Sequence, residues 1–154
     1  MIRCNTLRPI EYDSFKQNVD YYKHMLKNEL KYDFFQEKYQ PHITFLFFGD
    51  LSYNDKKASM EESKKLFNEL DENEKIIHFG DIELLEGRNY SHVVIKLKIS
   101  KKVEEIRTQL YKKYKFKDKH VDYKPHVTLG KYKSNRNFNP SIKKATGQYK
   151  VNVI

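Results

Sequence analysis

Only one cysteine, Cys4, occurs in the 154 residues, which excludes an internal disulfide and the cysteine-rich zinc modules. Long apolar runs are missing as well. No stretch approaches the roughly 18 uninterrupted apolar residues of a membrane-spanning helix. The opening residues MIRCNTLRPI lack the apolar core of a secretory signal, so an intracellular, cytoplasmic protein is expected. There is no dense basic tail of the kind that follows a long duplex. Neither G-x-x-x-x-G-K-[ST] nor a nucleotidyl-lysine motif is present, which disfavours ATP-dependent ligation.

What is present is charge and aromatic side chains. Lys+Arg number 30 against 21 Asp+Glu, for a net charge of +9. The lysines are dispersed in pairs such as Lys56-Lys57, Lys101-Lys102 and Lys143-Lys144. A spread of this kind speaks to solubility and to steering of anionic ligands, not to fold. The 12 Tyr and 10 Phe argue against disorder, because they supply large apolar groups along the chain. At this length one domain over residues 1–154 is expected, with a core of useful size.

Periodicity predicts alternating strands and helices. A strand over 2–8 ends at Pro9, and a helix over 13–31 carries Phe15, Val19, Tyr22, Leu26 and Leu30 on one stripe. A buried strand spans 41–48. A second helix capped at Asn54 or Asp55 runs to Leu66 and Leu70. Strands over 75–85 and 91–99 make a hairpin, Ser100 caps a helix over 101–115, and strands at 124–132 and 148–154 follow. The polar segment 133–147 between them is expected to be a mobile flank. The class is α+β.

A repeat organises this pattern. Tyr39-Gln40-Pro41-His42-Ile43-Thr44 and Tyr123-Lys124-Pro125-His126-Val127-Thr128 are one hexapeptide with conservative changes, 84 residues apart. Composition alone would give Pro-His-x-Thr roughly 0.005 times in such a chain, so two copies are not a coincidence. Each copy closes a strand–helix–strand unit. Two pseudo-symmetric lobes around a central cleft are therefore expected, with the matched strands near the axis.

Residues two apart on a strand share a face. His42 projects with Thr44, and His126 with Thr128, while Ile43, Phe45, Phe47, Val127 and Leu129 point to the core. Two imidazoles and two hydroxyls in one cleft suit cleavage of a phosphodiester by a neighbouring hydroxyl. One imidazole takes a proton, the other gives one, and the hydroxyls bind the phosphate oxygens. No metal is required. Zinc held by this pair with His24, His78, His92 or His120 is the alternative, but no H-E-x-x-H spacing accompanies it. Those four histidines are read as structural.

Pro41-His42-Ile43-Thr44-Phe45-Leu46-Phe47-Phe48-Gly49 and Pro125-His126-Val127-Thr128-Leu129 resemble the paired motifs of the two-histidine (2H) phosphoesterases, the group of LigT-like 2'-5' RNA ligases and cyclic phosphodiesterases. The resemblance covers nearly the whole chain. It implies His42 and His126 as the acid/base pair and Thr44 and Thr128 as phosphate ligands. It also implies substrate contacts from Lys131, where the family often has Arg, and from Phe48 and Tyr132 as base-stacking aromatics. No cofactor is implied. The implied substrate is a small 2'-5'-linked or cyclic (oligo)nucleotide, such as cyclic GMP-AMP or 2'-5' oligoadenylate. Compact relatives in viruses and phages destroy such immune messengers, and the location would then be the host cytoplasm. The alternatives are a phosphodiesterase for 2',3'-cyclic phosphate ends of RNA and a non-catalytic nucleotide-binding module. A monomer without membrane contact or obligate protein partner is expected.

Overall fold

The computed structural model describes residues 4–116 and 123–154. Its elements are β1 (Cys4–Pro9), α1 (Tyr12–Leu30), β2 (Phe34–Gln36), β3 (Thr44–Phe47), α2 (Tyr53–Asn68), β4 (Ile76–Leu85), β5 (Ser91–Lys98), α3 (Lys101–Lys113), β6 (His126–Tyr132) and β7 (Gln148–Val153). The strands form one antiparallel sheet in the order β2-β6-β5-β4-β7-β1-β3. The chain is α+β, as its pattern predicts. The first residues of the strand expected at 2–8 lie outside the described residues, as does His120.

Local chemistry accounts for most boundaries. Phe15, Val19, Tyr22 and Leu26 of the expected stripe are buried on α1. Ser100 caps α3, its hydroxyl accepting the Val103 amide at 3.2 Å. The cap of α2 is Ser52, which accepts the Asp55 amide at 3.2 Å, so the helix starts earlier than Asn54 or Asp55 would allow. Strand β2 has no counterpart in the sequence pattern. Its three residues hold their place by pairing with β6.

The sheet has one helix-bearing face. Phe15 of α1 packs its ring on Phe79 and Tyr149, and Ser63 of α2 meets Asn5. Cross-strand pairing places these residues on the same side as Leu7, Ile77, Ile95, Leu97 and Val127, all buried. The opposite face carries Thr6, Arg8, Lys150, Lys98, Lys96, His92, His126 and Thr128. Helix α1 leads from β1 to β2 and packs on β2, β6 and β1. Helix α3 leads from β5 to β6, lies against α2 and reaches β3 through Arg107 and Tyr111.

In the ladder the motif strands stand far apart: β3 closes one edge of the sheet and β6 is second from the other. One expectation is corrected. The segment 133–147 is no loose flank. Lys143 O accepts the Ile82 amide and the Ala145 amide bonds Gly80 O, both at 2.9 Å. Asn18 donates to Thr146 O at 2.9 Å, and Ala145 is fully buried.

Candidate active site

The two motif strands share an irregularity as well as a sequence. Thr44 pairs with Thr6 and Leu46 with Asn5, which leaves Phe45 as an extra residue on β3. Thr128 pairs with Val94 and Gly130 with Val93, which leaves Leu129 as an extra residue on β6. Each bulge therefore falls on the residue after the motif threonine. An inserted residue reverses the inside–outside alternation beyond it. Lys131 pairs with His92 and Phe47 with Cys4, so Phe47 and Lys131 return to the face of the motif threonines.

Both histidines are oriented in the same way. His42 Nδ1 lies 3.4 Å from the carbonyl of Gln40, and His126 Nδ1 lies 2.7 Å from that of Lys124. A carbonyl only accepts, so in each ring Nδ1 carries the proton and Nε2 is left for a ligand. His42 is exposed on an extended segment just before β3, and His126 opens β6 partly buried. Burial pushes the His126 pKa below its ordinary value, and charge on His92 and His42 adds to this against the Lys124 carbonyl. His92 and His42 are therefore each within electrostatic reach of His126. Among the described residues, no protein group hydrogen-bonds the hydroxyl of Thr44 or Thr128.

Side chains, not a ladder, bring the motifs together. The free edge of β3 faces the second half of the chain. There the Tyr123 hydroxyl donates to Thr44 O at 2.7 Å, Arg107 Nε to Phe45 O at 3.1 Å, and the Phe47 amide to the Tyr111 hydroxyl at 3.3 Å. The Arg107 guanidinium lies between the Tyr111 and Tyr123 rings, 4.0 and 4.3 Å from their centroids. A buried guanidinium stacked on two aromatic faces forms a rigid joint. Tyr123 stands three residues before His126, so this joint ties the first bulge to the start of the second motif.

Comparison with known proteins fits this arrangement. The sequence profile of the 2'-5' RNA ligase superfamily matches residues 13–153. The chain belongs to that superfamily. Two solved structures share the fold. TT0787 of Thermus thermophilus superposes with a TM-score of 0.69 at 11% identity, covering 97% of this chain and 84% of that one. A protein described as a phosphoesterase superposes with a TM-score of 0.60 at 13% identity, with the same 97% and 84% coverage. Among curated protein sequences nothing matches.

In this 2'-5' RNA ligase superfamily chain, pairing puts Thr44, His126, Thr128 and Lys131 on one face of the sheet, and His42 is exposed two residues before Thr44. Phe48 and Tyr132 are not on that face. Phe48 is 2% exposed and packs by Phe116. Tyr132 is 5% exposed, packs on Phe138 and donates to Arg136 O. The bulges turn both into the core, which corrects their reading as base-stacking residues. The same shift overturns the core placement of Phe47, which is 47% exposed. His92, read as structural, lies beside Lys131 on the motif face. Among the described residues no group of three His, Cys, Asp or Glu is disposed to hold a metal ion, and no helix is long and apolar enough to cross a membrane.

Proposed function

We propose that the protein is a metal-independent phosphodiesterase that cleaves a small 2'-5'-linked or cyclic (oligo)nucleotide with His42 and His126 as its acid/base pair. The supporting observation is the matched orientation of the two rings: each Nδ1 is held by the carbonyl two residues earlier, leaving both Nε2 atoms for substrate. Burial favours neutral His126, which suits it to the base; exposed His42 serves as the acid.

For a 2'-5' linkage, His126 Nε2 takes the proton of the 3'-hydroxyl as its oxygen bonds to phosphorus. The bond from phosphorus to the 5'-oxygen breaks, and protonated His42 gives its Nε2 proton to that leaving oxygen. The products are a 2',3'-cyclic phosphate and a 5'-hydroxyl, and the two imidazoles exchange protonation states. The hydroxyls of Thr44 and Thr128 donate to the non-bridging oxygens, where charge accumulates. Phe47 offers an exposed ring for a base on the first lobe. Lys96, Lys98 and Lys131 on this face favour a polyanion.

The test is incubation in EDTA with 2'-5' oligoadenylate, mixed-linkage and 3'-5' cyclic dinucleotides and 2',3'-cyclic nucleotides, with products resolved by chromatography. Cleavage of a 2'-5' bond to a 2',3'-cyclic end is expected. Turnover of 2',3'-cyclic nucleotides alone would transfer the reading to RNA-end processing, and tight binding without product would make the protein a binding module.

A further inference from the structure

The pseudo-two-fold matches residue pairs, and one match is chemically unequal. One step beyond the pair Thr6–Thr44 lies Cys4–Phe47; one step beyond Val94–Thr128 lies His92–Lys131. The motif face therefore ends in a thiol and a phenyl ring on the first lobe, and in an imidazole and an ammonium on the second.

The second pair is held in place by Tyr90. Lys131 Nζ sits 4.4 Å over the Tyr90 ring centroid, and the His92 ring meets Tyr90 edge to face at 5.3 Å and 82°. Stacking fixes the ammonium while leaving its donors free on the side away from the ring. Among the described residues Lys131 has no ion-pair partner, and the Glu83 carboxylate on this face pairs with Lys96 at 3.6 Å. His92 Nδ1 is buried and lacks a hydrogen-bond partner among the described residues. A buried polar atom without a partner calls for an explanation. Ring packing on Tyr90 is thus the contact that places this imidazole, and no hydrogen bond among the described residues fixes its Nδ1.

We infer that Tyr90, His92 and Lys131 form a subsite for a second, uncleaved phosphate group of the nucleotide substrate. The inference rests on the proposed phosphodiesterase reading and gives the substrate a direction. The cleaved phosphate lies between the histidines, a base lies on Phe47, and the second phosphate lies on Lys131. The favoured substrates then carry at least two phosphates, such as a 5'-phosphorylated 2'-5' dinucleotide or a cyclic dinucleotide, rather than a mononucleoside 2',3'-cyclic phosphate.

Calorimetric titration of the His42→Ala/His126→Ala protein with 2'-5'-linked diadenylate, with and without a 5'-phosphate, tests this without turnover. The phosphorylated ligand is expected to bind about tenfold more tightly, the scale of one charge-assisted contact. Adding Lys131→Met or His92→Gln should cut that advantage to about threefold or less, and Lys131→Arg should retain it. No advantage from the 5'-phosphate, or an advantage that survives both substitutions, overturns the subsite. If neither dinucleotide binds, inorganic phosphate is titrated into the wild-type protein and the imidazole resonances are followed by NMR. A shift of His92 that disappears in Lys131→Met supports the subsite, and no shift refutes it. Failure of the wild-type protein to cleave any member of the nucleotide panel refutes the phosphodiesterase reading alone; cleavage of both dinucleotides with equal KM refutes the subsite alone.

Discussion

Phe47 and Phe48 are adjacent phenylalanines with opposite expected roles, and exchanging either for alanine tests the bulge that separates them. Phe48 is 2% exposed within the core. Removing such a ring costs about 3–5 kcal/mol, from lost burial and from the cavity left behind. Against a total stability of about 5–15 kcal/mol this is a large share. With a urea slope of about 2 kcal/mol/M, the unfolding midpoint of Phe48→Ala should fall by about 2 M. Phe47 is 47% exposed on the motif face, so Phe47→Ala should cost under about 1 kcal/mol of stability. Its ring is expected to carry a stacked base, worth about 1–3 kcal/mol, so KM should rise by about 5- to 150-fold. Urea unfolding followed by circular dichroism, with initial rates on the best nucleotide of the panel, gives both numbers. Phe48→Ala is assayed for activity where it remains folded, and Phe48→Leu takes its place where it does not. A rise in KM on changing Phe48, with a loss of stability on changing Phe47, would refute the placement of the bulge at Phe45 and the face assignments built on it.

Three further outcomes follow from the same geometry. Tyr123→Phe keeps the ring against Arg107 but removes the 2.7 Å hydrogen bond to Thr44 O; it should cost about 1 kcal/mol in urea unfolding and lower kcat more than it raises KM. Gly130→Ala would drive a methyl into the Phe35 carbonyl oxygen and the Phe34 ring where β2 crosses β6, so the urea midpoint should drop by a cost of about 1–3 kcal/mol. The acid limb of kcat/KM reports loss of the proton from His126, whose pKa is lowered by burial and by charge on His92 and His42. That limb should lie below the ordinary histidine value of about 6.5. His92→Gln removes one of those charges, so the His126 pKa rises and the limb moves to higher pH; a limb that stays put or moves down contradicts the assignment.

The catalytic candidates are legible because a repeated tetrapeptide is a sequence property, and so is Ser100 as a cap. The bulges are not. Phe45 and Leu129 sit in apolar runs that read the same with or without an inserted residue, and only the pairing with β1 and β5 reveals the slip. That single residue decides which aromatic side chains reach the site, so strand parity fails at Phe47, Phe48 and Tyr132 while holding from His42 to Thr44. Strand β2 is too short to declare itself, and its place depends on Gly130 admitting a close neighbour. Arg107 reads as another solvated helix charge, because nothing local in α3 signals the carbonyl of Phe45 or the rings of Tyr111 and Tyr123. His92 gives no signal because its neighbour Lys131 lies 39 positions away in the chain.

The net charge of +9 acquires a location from the fold. Arg8, Lys96, Lys98, Lys131 and Lys150 stand on the face opposite the helices. Glu83 pairs with Lys96 and Glu72 with Lys150, leaving an excess of cations beside the motif residues. A field of this sign raises the encounter rate of a polyanionic substrate and weakens with salt.

The most direct measurement is the rate of phosphodiester cleavage, in EDTA, by the His42→Ala, His126→Ala and doubly substituted proteins. Paired acid and base groups act as a unit, so each single substitution should nearly abolish turnover and the double should be hardly worse. Substantial activity in either single variant would contradict the two-histidine mechanism.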